Sequence, residues 1–150
     1  MAVVLLTGMS GAGKSTVLAE LGRRGHAVVD TDVGGWIVGD GEPLWDLPRM
    51  TALLDAHTGG HLFLAGTVAD QGVLYLRLDA VVLLTAPVEV LLARVAVRTT
   101  NDFGRTAEER ARIARDTADV EPLLRRGADV VVDTRAPLAD VVAAVLAAAG

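Results

Sequence analysis

Short runs of aliphatic residues recur along this chain, and longer stretches with apolar positions every three or four residues lie between them. The short runs predict buried β-strands over 2–7, 27–29, 61–65, 80–85 and 129–132. The longer stretches predict helices over 15–24, 88–98, 106–126 and 137–149, the third of them broken near Pro122 or formed as two helices. Strands that alternate with helices indicate right-handed crossovers. We therefore expect an α/β fold with a doubly wound, five-stranded parallel sheet in three α/β/α layers.

A glycine-rich segment follows the first predicted strand and opens the first predicted helix. It contains Gly-x-x-x-x-Gly-Lys-Ser, the phosphate-binding loop pattern, in the strand–loop–helix context that the pattern requires. In such a loop, backbone N–H groups face phosphate oxygens, the lysine reaches the β- and γ-phosphates, and the serine hydroxyl ligates Mg²⁺. We therefore expect a nucleoside triphosphate and Mg²⁺ to bind at Gly8, Ser10, Gly11, Ala12, Gly13, Lys14, Ser15 and Thr16.

Composition supports this interpretation and excludes several classes of protein. Lys14 is the only lysine among the 14 Lys and Arg residues, so the one ammonium group lies where a phosphate needs it. The chain has no cysteine, which excludes disulfides, thiol catalysis and Cys-ligated metals. A net charge of −5 argues against general nucleic-acid binding, and no stretch approaches the length of a membrane span. We expect a cytoplasmic protein.

Two segments interrupt the alternation of strands and helices. Residues 33–60 carry repeated glycines and prolines around a short helix near 49–57, and residues 99–105 form a polar loop between two helices. Excursions at the carboxyl ends of strands are where open α/β sheets bind ligands. In a phosphotransferase these segments would be an acceptor-binding flap and a lid over ATP. Trp36 and Trp45 lie in the flap, where they either stack on a flat acceptor or pack the flap onto the sheet.

The chain resembles the small P-loop kinases, the group that contains the nucleoside monophosphate kinases and the shikimate kinases, and in particular AAA-labelled ATP-binding proteins of this kind. The resemblance rests on the phosphate-binding loop, on Asp30-x-Asp32 after the second strand, on LTAPVEVLLARVAVR before the lid, and on VVVDTRAPLADVV near the end. It covers nearly the whole length. It implies one P-loop kinase domain over 1–150, with an NMP-kinase-like fold and ATP as the nucleotide.

Several arginines acquire roles through this resemblance. Arg98 and Arg105 are seven positions apart, like two lid arginines of the shikimate kinases. The resemblance implies that Arg98 stacks on adenine, that Arg105 reaches the phosphates, and that Arg135 lies in the loop beside adenine. The ordinary alternatives are a helix-terminal charge for Arg98 and a solvated lid charge for Arg105. Val120 stands where shikimate kinases have an arginine that holds the substrate carboxylate, so shikimate is not the expected acceptor.

The candidate catalytic residues are Lys14, Asp32 and Arg105. Asp32 follows the second strand, where a carboxylate can reach Mg²⁺ beside Ser15 and can accept a proton from an acceptor hydroxyl. Asp30 lies two positions earlier and can orient Asp32 or a water molecule, and together with Asp32 it is a candidate contact for the acceptor. The alternative is that both aspartates only form a turn.

The remaining acceptor candidates come from the flap and from the segment after the third strand. Arg49 is the predicted anchor for an anionic group, and opposite it we expect Gly66, Asp70 and Gln71. Asp70 can also substitute, through water, for an acid that many NTPases have at the end of the third strand. Its alternative role is to cap a helix.

Three functions fit these residues. The first is an ATP- and Mg²⁺-dependent phosphotransferase acting on a small-molecule hydroxyl or phosphate, and the second is a nucleoside or nucleoside monophosphate kinase. The third is an NTP-binding regulator or slow ATPase, which would not need the Asp-x-Asp pair or the two lid arginines. In each case the expected partners are small molecules, with neither nucleic acid nor membrane among them.

Overall fold

The computed structural model describes residues 2–38, 44–97 and 106–150. Seven strands are β1 Val3–Thr7, β2 Ala27–Asp30, β3 Ile37–Val38, β4 Leu44–Trp45, β5 Leu62–Ala65, β6 Ala80–Thr85 and β7 Val130–Asp133. Five of them form a parallel sheet in the order β2-β5-β1-β6-β7, while β3 and β4 pair as a small antiparallel ladder. The predicted doubly wound parallel sheet is thereby confirmed.

The helices are α1 Lys14–Arg23, α2 Leu47–Ala56, α3 Val88–Val97, α4 Ala107–Gly127 and α5 Leu138–Ala149, with a 3₁₀ helix over Gln71–Arg77. The structure decides the alternative left open for the third long helix, because α4 continues through Pro122 as one helix. It begins at a capping box, in which the Thr106 hydroxyl accepts from the Glu109 N–H and the Glu109 carboxylate accepts from the Thr106 N–H. The β3–β4 ladder and the 3₁₀ helix were not predicted.

The sheet is buried on both faces, and β1 shows how the chain fills them. Val4 and Leu6 point to one face, where they pack with α1 and α5. Val3 and Leu5 point to the other face, where they pack with α2, β4 and the 3₁₀ helix. Because all five residues of β1 are buried, its carboxyl end is fixed in the middle of the sheet, and the loop that follows starts from a rigid point. In the ranges that the structure describes, no helix combines the length and the apolar character that crossing a membrane would require.

Trp45 attaches the flap to the sheet. Its side chain is 2% exposed, and its indole N–H donates to the Thr31 hydroxyl at 3.1 Å. Thr31 in turn donates to the carbonyl of Ala65, at the end of β5. The backbone N–H of Trp45 donates to the Asp70 carboxylate at 3.0 Å. Of the two roles considered for this tryptophan, the structure shows packing rather than stacking on an acceptor.

We predict that Trp45 contributes strongly to the free energy of unfolding. Trp45→Ala should cost about 3–5 kcal/mol because it removes a fully buried ring. Trp45→Phe should cost about 1–2 kcal/mol, since it keeps most of the ring and loses the bond to Thr31. Chemical denaturation measures both values. Trp36→Ala is the matched control, because Trp36 is only partly buried, and an equal loss for Trp36→Ala and Trp45→Ala would contradict the anchoring role.

Candidate active site

The loop after β1 begins at Gly8, turns over Met9–Ala12 and enters α1 at Gly13. A Cβ at Gly8 would collide with the carbonyl of Leu84, so only glycine fits between the loop and the neighbouring strand. Gly13 precedes α1 with a φ of 104° and has no side chain that could accept from the first-turn N–H groups. Those N–H groups and the positive end of the helix dipole are therefore left for an anion, as the loop pattern predicts.

Lys14 lies at the start of α1 with its side chain folded back over the loop. Its ammonium group donates to the carbonyl of Gly8. Its charge also lowers the pKa of Asp32, although a larger effect in the opposite direction acts on the same carboxyl. The one ammonium group of the chain thus lies between the loop and the carboxyl end of β2.

Asp30, rather than Asp32, is the carboxylate that meets the serine of the loop. The Asp30 carboxylate accepts from the Ser15 hydroxyl at 3.4 Å, and its other oxygen accepts from the Asp32 N–H at 3.0 Å. Hydroxyl and carboxylate oxygens are the ligands that Mg²⁺ takes, usually together with water and phosphate. The donor set of Ser15 and Asp30 therefore fits Mg²⁺. The prediction that Asp32 reaches the metal stays a prediction.

The Asp32 carboxyl has a raised pKa. Desolvation of the carboxyl by burial is the main cause, and the negative charge of Asp30 adds to it, whereas Lys14 acts in the opposite direction. Asp32 is exposed as a residue, so water and a small molecule both have access to it. A carboxyl with a raised pKa that is open to solvent and close to a phosphate-binding loop is suited to accept a proton.

Arg94 connects the loop to the segment after β7, although its position in the sequence suggested only a surface residue. Its guanidinium donates to the carbonyl of Gly11 at 3.0 Å, to the Thr134 hydroxyl at 2.8 Å and to the Thr134 carbonyl at 2.8 Å. Beside it lies a cleft of about 260 Å³, lined by Gly13, Thr16, Val17, Arg94, Thr134, Ala136, Leu138 and Val141. The mixture of apolar side chains and one guanidinium suits the flat face of a purine base.

Arg135 lies in the same segment but forms an ion pair at the surface. Its guanidinium donates to both oxygens of Asp133, the shorter contact being 2.6 Å, and it holds the pKa of Asp133 at about 2. Arg135 is exposed and does not line the cleft. Its predicted contact with the nucleotide stays a prediction. Arg98, Arg105 and the lid at 99–105 lie outside the described residues.

On the flap, Arg49 links two parts of the segment. Its guanidinium donates to the carbonyl of Gly34 at 2.6 Å and lies 4.0 Å from the centre of the Trp36 ring. The side chain is exposed and has further N–H groups, so its predicted role as an anchor for an anion stays a prediction.

The structure does not bring Gly66, Asp70 and Gln71 together at an acceptor site. Gly66 is buried beneath Thr31, whose hydroxyl would collide with a Cβ at this position. Asp70 accepts from the Trp45 N–H and does not cap the 3₁₀ helix with its side chain. Gln71 is 3% exposed, and its amide bonds only to groups of the protein in the contacts described. A direct contact of Gly66 or Gln71 with a substrate does not fit this burial.

Comparisons with known proteins agree with this fold. A family model described as an AAA domain matches residues 4–115, so the chain belongs to this family. No curated protein matches the sequence at a significant level. The fold is similar to that of a shikimate kinase from Acinetobacter baumannii in complex with shikimate, with a TM-score of 0.65 and 20% identity over 97% of this chain and 91% of that one.

Two further solved structures share the fold. One is a gluconokinase from Sinorhizobium meliloti 1021, with a TM-score of 0.61 and 20% identity over 98% of this chain and 90% of that one. The other is a sugar kinase from Janibacter sp. HTCC2649, with a TM-score of 0.63 and 21% identity over 98% and 93% of the two chains. At this identity the similarity shows only the fold, which is that of the P-loop NTPases. Small-molecule kinases are among the proteins with this fold.

We predict that Arg94 supports nucleotide binding more than it supports folding. Arg94→Ala should weaken the binding of ATP about 10- to 100-fold, because it removes charged hydrogen bonds that join the loop to the cleft. Arg94→Lys should recover little of this, since an ammonium group cannot reach both partners at once. Titration with a fluorescent ATP analogue measures the affinity. Arg77→Ala is the control, because Arg77 pairs with Asp55 at the surface, and equal affinities for the Arg94→Ala and Arg77→Ala variants would contradict the prediction.

We predict that the ionised form of Asp32 destabilises the protein when no nucleotide is bound. Its pKa in the folded state lies above the ordinary 3.8, so folding favours the protonated form, and stability decreases as the pH rises through the raised pKa. Asp32→Asn should therefore melt at no lower temperature than the unsubstituted chain at neutral pH, and its melting temperature should fall less as the pH rises through the raised pKa of Asp32. Asp55→Asn serves as the control. A melting temperature for Asp32→Asn well below that of the control would contradict the desolvation.

Proposed function

We propose that this protein is a phosphotransferase that uses ATP and Mg²⁺ to phosphorylate a hydroxyl or phosphate group of a small molecule. The observation that carries the proposal is the meeting of the phosphate-binding loop with two carboxylates at one edge of the sheet. The Ser15 hydroxyl donates to Asp30, and Lys14 acts electrostatically on Asp32. Phosphoryl transfer requires mainly that the protein position the reactants and supply positive charge around the γ-phosphate. The loop and Lys14 could provide both.

The nucleotide is placed by the residues between β1 and α1. The N–H groups at the start of α1 and the ammonium group of Lys14 would hold the β- and γ-phosphates. The base would enter the cleft beside Arg94, which already connects the loop to Thr134. Mg²⁺, bound near Ser15 and Asp30, would neutralise charge that develops on the phosphate oxygens. Lid arginines such as Arg105 would add to this neutralisation.

Asp32 is the proposed base for an acceptor hydroxyl. As the acceptor oxygen forms its bond to the γ-phosphorus, the bond from that phosphorus to the bridging oxygen of ADP breaks, and the hydroxyl proton passes to the Asp32 carboxylate. The products are ADP and the phosphorylated acceptor, and the proton leaves Asp32 for solvent. The raised pKa of Asp32 makes it a better proton acceptor than an ordinary aspartate. Its exposure leaves space for the acceptor to approach from the flap side.

The neighbouring structures support transfer to a small molecule, because the acceptors named for two of them are shikimate and, by the enzyme's name, gluconate. A nucleoside or nucleoside monophosphate is the alternative acceptor for the same site. An NTP-binding regulator would need the loop but would have no use for a proton acceptor at Asp32, and a slow ATPase would use it only on water, without an acceptor site beside the flap. The paired aspartates therefore favour transfer.

We predict that ADP release depends on an acceptor and on Lys14. A coupled assay of ADP release should be run over hydroxy acids, sugars, nucleosides and nucleoside monophosphates, each with Mg²⁺ and ATP. At least one class should raise the rate above hydrolysis by water, and Lys14→Ala should lower that rate by about 100-fold or more, because it removes charge from the transferring group. ATP hydrolysis indifferent to every acceptor would favour the slow ATPase instead, and an undiminished rate for Lys14→Ala would refute the assignment of the loop.

A further inference from the structure

The backbone of Gly8 is held by a threonine from the segment that follows β5, the neighbouring strand of the sheet. The Thr67 hydroxyl donates to the Gly8 carbonyl at 2.7 Å and accepts from the Gly8 N–H at 3.1 Å. The same carbonyl receives the ammonium group of Lys14. Thr67 lies two residues after the end of β5, and its side chain is partly buried. Two donors from different parts of the chain therefore share the first carbonyl of the phosphate-binding loop.

Thr67 is the last member of a chain of hydrogen bonds whose direction is fixed. A hydroxyl has one proton, and that of Thr67 goes to Gly8, so the contact of 2.9 Å between Thr7 and Thr67 must be donated by Thr7. The Thr7 oxygen then accepts from the amide N–H of Gln71 at 3.2 Å. The second N–H of that amide donates to the Tyr75 hydroxyl at 2.6 Å.

Burial makes this chain sensitive to any missing member. Thr7 is fully buried and Gln71 is 3% exposed, and the Gln71 amide oxygen accepts from the Val68 N–H at 3.0 Å. Every polar atom of the Gln71 side chain thus has a partner within the protein. A buried network of this kind orients its last donor well, because each hydroxyl has one direction in which all donors are satisfied.

We propose that Thr67 is a positioning residue of the phosphate-binding loop, which holds the Gly8 carbonyl when Lys14 turns from it to the phosphates. This inference rests on the proposed binding of ATP at the loop. When Lys14 moves, Thr67 still donates to the carbonyl, so the loop keeps its geometry and no buried acceptor is left unsatisfied. Without Thr67, the movement of Lys14 would leave that carbonyl without either of these two donors, and binding of the nucleotide would be weaker.

The test compares nucleotide affinity and thermal stability in the full chain. Thr67→Val removes the hydroxyl at nearly constant volume and should weaken the binding of Mg·ATP about tenfold. Thr67→Ser restores the hydroxyl and should return the affinity to within about threefold of the unsubstituted value. Thr117→Val is the matched control, because the Thr117 hydroxyl donates to the Ile113 carbonyl within α4, away from the loop. Calorimetric titration gives the affinities, and melting without nucleotide gives the stabilities.

A purely structural role for Thr67 predicts a different result. Thr67→Val would then lower the melting temperature and leave the affinity of the folded protein for Mg·ATP unchanged, and that outcome would overturn the proposal. Failure of Thr67→Ser to restore binding would overturn it as well. If the unsubstituted chain does not bind Mg·ATP, the proposed function itself fails. This result is distinct from a failure of the Thr67 proposal, because it is seen without any variant.

A second variant keeps the proposal open to refutation if Thr67→Val does not fold. Gln71→Met removes the amide that donates to Thr7 and should weaken the binding of Mg·ATP by about threefold, less than Thr67→Val does. Where both variants fold, the double variant should bind no more weakly than Thr67→Val alone, because the effect of Gln71 passes through Thr67. Unchanged affinity for Gln71→Met, or strictly additive losses in the double variant, would contradict the chain of hydrogen bonds.

Discussion

The close approach of Gly8 to the neighbouring strand is the constraint on which the rest of the site depends. β1 is buried over its whole length, so the loop leaves the sheet from a fixed point, and the carbonyl of Leu84 leaves no room for a side chain at Gly8. The Gly8 carbonyl then takes the ammonium group of Lys14 and the hydroxyl of Thr67. From Gly8 the loop reaches α1, which has no side-chain cap at its start, and the carboxylate of Asp30 at the end of β2 accepts from the Ser15 hydroxyl.

The segments on the two sides of the loop are attached to the rest of the protein in different ways. On the side of β6 and β7, Arg94 connects Gly11 to Thr134, so the phosphate-binding loop and the wall of the cleft are joined by one guanidinium. On the side of β2 and β5, Trp45 is buried and bonded to Thr31, which attaches the flap to the sheet. The side with the cleft is therefore joined directly to the loop, while the side with the flap combines a buried anchor with exposed residues such as Asp32.

Much of the fold could be predicted because it depends on local patterns. The aliphatic runs of β1 and β6 need no partner to be read as strands, and the loop pattern specifies its own chemistry from Gly8 to Ser15. The 3₁₀ helix was missed, since Gln71–Arg77 has no period of 3.6 residues, and the two-residue strands β3 and β4 are too short to show alternation.

The predictions about individual side chains were less complete, and the reason is distance along the chain. Arg94 donates hydrogen bonds to residues that are 83 and 40 positions away along the chain, and no pattern within α3 predicts these contacts. Gln71 was predicted to face the acceptor because it is polar and follows a strand, yet its amide turns inward to Thr7, 64 residues earlier. The Asp-x-Asp pair was found correctly at the carboxyl end of β2, but only the structure shows that Asp30 is the one that meets Ser15.

We expect the loop from Gly8 to Gly13 and the start of α1 to form a site for the phosphates of a nucleotide. Calorimetric titration of the unsubstituted chain with ATP in the presence of Mg²⁺ tests it most directly, with AMP as the comparison. The account predicts saturable binding of one ATP per chain, together with much weaker binding of AMP, which lacks the β- and γ-phosphates. The absence of any heat of binding with ATP, or equal affinities for ATP and AMP, would contradict it.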